Sequence, residues 1–465
     1  MTAARARLPL AAVVTLSAMQ CSPARLPHTV PAATGAAPGP ASPSLLFPVG
    51  GPGWDSINAV AMDSDGSLIV AGSFTGTVDF GGGRSLTAAG EGTDLFAARY
   101  APSGELRAVF GAGGPDSDAV ASLAVGAHGE VVLVGHSTGN IRIGDARIAI
   151  GDRSGCVYMA KLSRDLHPLW AFDLGERSAL GSYPLAIGEG DGPAVIVSTT
   201  HEAHDVGDVL GAAAAHLSGG KDGPVLVRYD AGGRLVGLTA VGGPGAVWAA
   251  GVRADPRGGL WIVGSFWDGI ACRSGTLVSA GGADVLLAHI GREGAPDHCV
   301  RFGGLHDENG STLALGPAGD MALAGTFVDE TNLAGQTLIA AGRSDVFVMT
   351  LRDGHPRWAA RLGDSASDRP VGAAFTSTGT LWIAGSSGVP ASRGSESDTF
   401  FARFTADGHA EGWELVGSPS AAVAGLFSIS GGVLASGTFR DQLLFRGREY
   451  TGRGGTDGFI LRLAP

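Results

Sequence analysis

Lysine is almost absent from this chain. Of 465 residues only Lys161 and Lys221 are lysine, and charged residues of every kind make up 16%. The formal net charge is −12. Neutralising a run of phosphates needs a basic face, so this balance excludes a nucleic-acid partner. Long apolar runs are also scarce. Apart from Leu8 to Met19, no stretch approaches the roughly 18 apolar residues of a membrane helix. Aromatic residues are few, at 7%, and there are four cysteines. Glycine, by contrast, is abundant at 77 residues. Sparse charge with much glycine suits many short strands joined by tight turns.

A strand-like segment recurs seven times. It reads DLFAARY from Asp94, CVYMAKL from Cys156, DGPVLVRY from Asp222, DVLLAHI from Asp284, DVFVMTL from Asp345, DTFFARF from Asp398 and DGFILRL from Asp457, at intervals of 53 to 66 residues. A fixed period of this kind signals units that stack on their neighbours to bury an apolar face. The period overrides the prior of about three domains that length alone suggests.

One unit shows the grammar. Ile57 to Asp63 alternates as a strand, and DSDG from Asp63 to Gly66 is a turn. Ser67 to Phe74 is a nearly continuous apolar strand, as expected where both sheet faces are covered. A longer connection leads to DLFAARY, the turn APSGE and the strand LRAVFGAGG. Four strands per unit is the content of a propeller blade. The fold predicted is therefore all-β: a seven-bladed β-propeller over 44–465. The element LLFPVGG at Leu45 to Gly51 precedes the first blade, and no such strand follows GFILRLAP at the end. Pairing of the N- and C-terminal strands should close the ring and remove its open edge.

These motifs resemble the bacterial seven-bladed propeller repeat known as SBBP. GSFTGTVDFGG (Gly72 to Gly82) and PRWAARLGD (Pro356 to Asp364) carry the likeness, which covers about 44–465. The resemblance implies an exported protein and is nearly silent on activity. The N-terminus agrees with export. Arg5 and Arg7 precede the apolar stretch Leu8 to Met19, which is too short to span a bilayer. Cys21 follows, an arrangement that resembles a bacterial lipoprotein signal, although Gln20 stands where a small residue is usual. The expected organisation is a signal peptide at 1–20, a Pro/Ala-rich tether at 21–43 and the propeller. Lipidation of Cys21 is expected, with simple secretion as the alternative. Six prolines and few bulky apolar groups leave the tether nothing with which to offset its ordering entropy.

Chemical motifs are few. GHSTG at Gly135 to Gly139 fits a nucleophile pattern, but it aligns with GSFTG at Gly72 to Gly76 and no helix follows it. HEAHD at His201 to Asp205, with Asp208 nearby, has the wrong spacing for a zincin. DSDG lacks the distal glutamate of a calcium loop, so turn chemistry accounts for it. The aspartate opening most third strands, such as Asp94 and Asp345, follows the repeat and reads as structural. Carboxylates also recur at blade starts: Asp55, Asp116 with Asp118, Glu176, Asp307 with Glu308, and Asp364 with Asp368. As an acidic rim they could bind a cation or a basic ligand, or simply hydrate the loops. Blade-start loops and second-to-third strand connections should share one face, which also carries Trp54, Trp248 and Trp267. The candidate binding face is thus Trp54, Asp55, Asp116, Asp118, Trp248, Trp267, Asp307, Glu308, Asp364 and Asp368. Cys272 and Cys299 fall in one blade, where a disulfide or two buried thiols would both fit. No catalytic residue, metal or cofactor is assigned. The function expected is a binding or scaffold propeller at the bacterial envelope, acting as a monomer on a protein or glycan. Its membrane contact is limited to the lipid anchor. The alternative is an exported enzyme acting on polysaccharide, a lyase or glycosidase.

Overall fold

A computed structural model describes residues 49–463, apart from 152–153, 177–183, 188–191, 200–222, 292–295, 389–397, 417–419 and 430. The signal, tether, Cys21 and the segment from Leu45 to Pro48 lie outside the described residues.

Seven antiparallel sheets follow one another along the chain. Blade 1 is Asp55–Met62, Leu68–Phe74, Asp94–Tyr100 and Leu106–Ala112, and the same order repeats to blade 7. Blade 4 is Val247–Ala254, Leu260–Phe266, Asp284–Ile290 and His298–Phe302. Blade 7 contributes Ala422–Ile429, Gly432–Phe439 and Asp457–Leu463. Its outer edge receives the N-terminal segment: Val49 forms an antiparallel bridge with Gly458, whose N–H donates to the Val49 carbonyl at 3.0 Å. Trp54 bridges Thr456, and the Asp55 N–H donates to the Thr456 carbonyl at 2.8 Å. The ring closes between the two ends of the chain, as the repeat count predicts.

The connection between second and third strands is more ordered than its glycine content suggests. In blades 1, 2, 4, 5 and 7 it forms a two-stranded ribbon, such as Thr77–Asp79 with Ser85–Thr87. The only helical element among the described residues is one 3-10 turn, Pro317–Gly319.

Second and third strands are the buried centre of each blade; every residue of Leu68–Phe74 and of Asp94–Tyr100 is buried. The glycine in the GSF motif is a packing requirement there. A Cβ at Gly72 would lie 1.8 Å from the Ser56 carbonyl oxygen, and one at Gly135 2.1 Å from that of Ala119. Gly135 belongs to GHSTG, whose Ser137 is fully buried and donates its hydroxyl proton to the Gly139 carbonyl at 2.7 Å. That segment is blade framework. Asp63 of DSDG is likewise a turn residue. It is buried and receives Arg99 Nη1 at 2.7 Å, while Arg99 Nη2 reaches the Gly129 carbonyl of blade 2 at 2.5 Å.

First strands line the centre of the ring. Six of them carry a register shift at one place, as between Ile57 and Ala59 or Ala249 and Gly251. A bulge sharpens the twist and re-aims one side chain. Here it turns Asn58, Ala121, Ala250, Val371 and Ala424 toward the central channel.

Candidate functional site

The blade-start loops and the ribbons emerge on one face, since the Thr75 N–H donates to the Trp54 carbonyl and the Thr138 N–H to the Ser117 carbonyl. The residues expected there divide into two groups. Asp116, Asp307 and Asp364 are exposed, as are Trp54, Trp248 and Trp267. Asp55, Asp118, Glu308 and Asp368 are not rim residues at all. Each is 1% exposed or less.

What buries them is the blade junction. The carboxylate that opens a first strand meets the carboxylate that opens the third strand of the blade before. The pairs are Asp457 with Asp55, Asp94 with Asp118, Asp284 with Glu308, and Asp345 with Asp368. All eight are at most 5% exposed. One oxygen of each accepts a loop N–H: Gly51 to Asp55 at 2.6 Å, Gly114 to Asp118 at 2.8 Å, Gly304 to Glu308 at 2.8 Å and Asp364 to Asp368 at 3.0 Å. Ala89, Ala280, Ala341 and Arg453 serve Asp94, Asp284, Asp345 and Asp457 in the same way. These bonds fold the loop back on its strand. The repeated GG element leaves the room: a Cβ at Gly303 would lie 2.0 Å from Asp284 Oδ1 and 2.5 Å from Glu308 Oε2. Blades 1, 2, 5 and 6 carry this acid, whereas blades 4 and 7 open with Val247 and Ala421, and the opening of blade 3 lies outside the described residues.

Taking a carboxylate out of water disfavours its charged form. Burial, reinforced by the neighbouring Asp457, pushes Asp55 up to about 7. Burial and the nearby Asp94 push Asp118 up to about 7, and burial with Asp364 and Asp345 pushes Asp368 up to about 6. Asp94, Asp284 and Glu308 are raised as well, mainly by burial. The second oxygens of Asp55, Asp94, Asp284 and Asp457 have no hydrogen-bond partner among the described residues, while Ser137, Thr331 and Ser387 stand beside Asp118, Glu308 and Asp368. Protonation of one member removes the repulsion between the two buried charges.

The exposed features concentrate on blade 4. Trp248 and Trp267 stand at its loop-face end, 45% and 38% exposed, and Leu305 follows at 79%. Trp54, 57% exposed, lies under the Arg440 guanidinium at 4.9 Å. Cys272 and Cys299 are joined in a disulfide that ties the ribbon of blade 4 to its fourth strand. The HEAHD segment and Asp208 lie outside the described residues, as does the side chain of Glu176.

A second concavity escaped the motif reading. The central channel encloses about 810 Å³ between the first strands. Its wall is mostly alanine, valine, leucine and glycine, with Asn58, Ser122, Thr312 and Ser428 as uncharged polar members. Arg253 is the one charged residue in that wall among the described residues. Comparing first strands in register would have found it.

No family model matches the chain, and no curated protein matches it. Solved structures with the propeller fold do. The β-propeller domain of the trilobed protease from Pyrococcus furiosus is 6% identical, with a TM-score of 0.44, and the match covers 86% of this chain and 95% of that one. An α-L-arabinofuranosidase from Fusarium graminearum, solved with an iminosugar inhibitor, is 10% identical over 90% of this chain and 98% of its own, with a TM-score of 0.40. A xyloglucanase from Xanthomonas campestris is 12% identical over 85% and 53%, with a TM-score of 0.39.

Proposed function

We propose that the chain is a non-enzymatic binding propeller of the bacterial envelope, exported, lipidated at Cys21 and acting through its loop face on an envelope glycan or protein. The observation that carries this reading is the sorting of the candidate residues. The recurring acids are consumed in holding blades together, whereas the side chains that break the repeat on this face stay exposed. Trp248 and Trp267 are such residues. Indole combines a broad apolar face with a polar N–H, which suits it to stack on a sugar ring or a peptide. The disulfide between Cys272 and Cys299 supports export, because such bonds persist in oxidising compartments. The basic, apolar and cysteine order of the first 21 residues supports it too. Kinship with the SBBP repeat rests on the motifs quoted above.

A polysaccharide-cleaving enzyme would need two carboxylates, about 5–10 Å apart, that substrate can reach. The acid pairs with raised pKa values are sealed under loops, so substrate would have to unfold a blade junction to meet them.

Two measurements test the proposal. Sedimentation with isolated envelope polysaccharide should capture the parent and lose the Trp248→Ala/Trp267→Ala variant, with both melting alike. Equal capture, or a variant that simply melts lower, contradicts a binding face. Fatty-acid labelling of the parent but not of Cys21→Ala should show the anchor, and equal labelling removes it.

A further inference from the structure

The central channel has one feature that the repeat does not account for. Arg253 pairs across its blade with Trp261. The residues at the same register in the other blades are Ala61, Ala124, Ala186, Ala314, Ala374 and Phe427. Five blades therefore place alanine there and one phenylalanine. A framework role would recur around the ring. A long cation in one blade of seven breaks the symmetry, as a single site must.

The surroundings of Arg253 leave its charge unanswered. Its Nη1 donates to the adjacent Val252 carbonyl at 2.8 Å, a neutral acceptor. No carboxylate stands in the channel wall among the described residues. The side chain is open to the channel, yet the enclosing walls desolvate it and lower its pKa from the ordinary arginine value. Several arginines elsewhere meet carboxylates, as Arg99 meets Asp63, Arg352 meets Asp320 and Arg446 meets Glu414, while Arg228 is held between Thr239 Oγ1 and the Gly291 carbonyl. The forked guanidinium is suited to a carboxylate, sulfonate or phosphate in two parallel hydrogen bonds.

Position and lining narrow the ligand further. Arg253 lies just before the turn from Asp255 to Gly259, at the channel end away from the loop face. Met62, Leu315 and Phe427 belong to the same end of the wall. A volume of about 810 Å³ is that of a small-molecule pocket, and its wall combines apolar and polar surface with one charged group.

We infer that the channel binds a small organic anion, its charged head on Arg253 and its apolar body against the alanine-rich wall with Met62 and Phe427. The site is separate from the loop face and does not depend on the envelope role.

The probes are 8-anilinonaphthalene-1-sulfonate and its uncharged parent, N-phenyl-1-naphthylamine, followed by fluorescence. The parent protein should bind the sulfonate saturably at one site. Arg253→Ala, which restores the residue of five other blades, should fold and weaken the sulfonate about tenfold or more, the scale of a lost charge-assisted bond. The uncharged probe should bind both proteins equally. Arg253→Gln, which keeps the volume, should behave as Arg253→Ala does. Saturable sulfonate binding that both variants leave unchanged overturns the assignment. So does equal weakening of the two probes, which would report a collapsed cavity, and so does the absence of one-site binding in the parent.

Discussion

Asp457 Oδ1 occupies the space that a side chain at Gly50 would need: a Cβ there would lie 1.7 Å from it. Gly50 comes from the first described residues and Asp457 opens the last strand, so this contact sits at the seam of the ring. The Asp457 carboxylate cannot swing aside without giving up the Arg453 N–H at 2.6 Å.

Gly50→Ala should therefore destabilise the propeller by about 2–4 kcal/mol, the range for a forced break in a buried polar contact. Gly412→Ala meets nothing within 4 Å and serves as the control, expected within about 0.5 kcal/mol of the parent. Adding Asp457→Ala to Gly50→Ala should cost less than the two single changes summed, because both act on one contact. Chemical denaturation of the four variants checks this.

The acid pairs predict an unusual pH response. Asp55 and Asp118 titrate near 7 in the folded chain and Asp368 near 6, against about 4 when unfolded. Between those values the folded state holds more protons than the unfolded state. Stability must then fall as pH rises through that window and level off above it. Melting temperature should be highest near pH 5 and lower at pH 8. Asp118→Asn keeps an acceptor for the Gly114 N–H and removes the buried charge beside Asp94. It should raise the melting temperature at pH 8 by a few degrees, about 1–2 kcal/mol, and change little at pH 5. A melting temperature that climbs from pH 5 to pH 8 would sink this reading of the pairs.

The disulfide closes a span of 27 residues within blade 4. Chain-entropy arithmetic gives about 3–4 kcal/mol for a loop of that size. Cys272→Ser/Cys299→Ser should melt several degrees lower than the parent, and a reductant should lower the parent to the same value. If the double variant and the parent melt together under oxidising conditions, the bond contributes nothing to the fold.

Architecture was legible because it is repeated. Seven DLF-type segments, each set in the same run of four strands and tight turns, state the same local preference, and agreement across levels is what specifies a fold. Roles at the site were less legible, for identifiable reasons. Asp55 and Asp116 look alike in sequence as blade-start carboxylates, yet Asp55 opens its strand and is buried, while Asp116 lies two residues ahead of its strand and is exposed. The ribbon strands are three or four residues long and flanked by glycine, too short for their alternation to stand out. Arg253 was readable in principle, since GVRAD carries arginine where AVAMD carries alanine, but its meaning appears only when seven first strands surround one space. The cysteine pair was foreseen as one of two outcomes, since sequence does not give the 6.3 Å between Cα atoms that allows the bond.

The closed ring is the central claim, and hydrogen exchange at its seam tests it most directly. The Gly458 N–H donates to the Val49 carbonyl, and the Asp55 N–H to the Thr456 carbonyl. Removing residues 44–50 should strip the first bond and bare the edge of the strand Asp457–Leu463. Amides of 457–463 should then exchange far faster than in the parent, while those of Leu260–Phe266 in blade 4 keep their protection. Unchanged protection of 457–463 after the deletion would contradict closure through the chain ends.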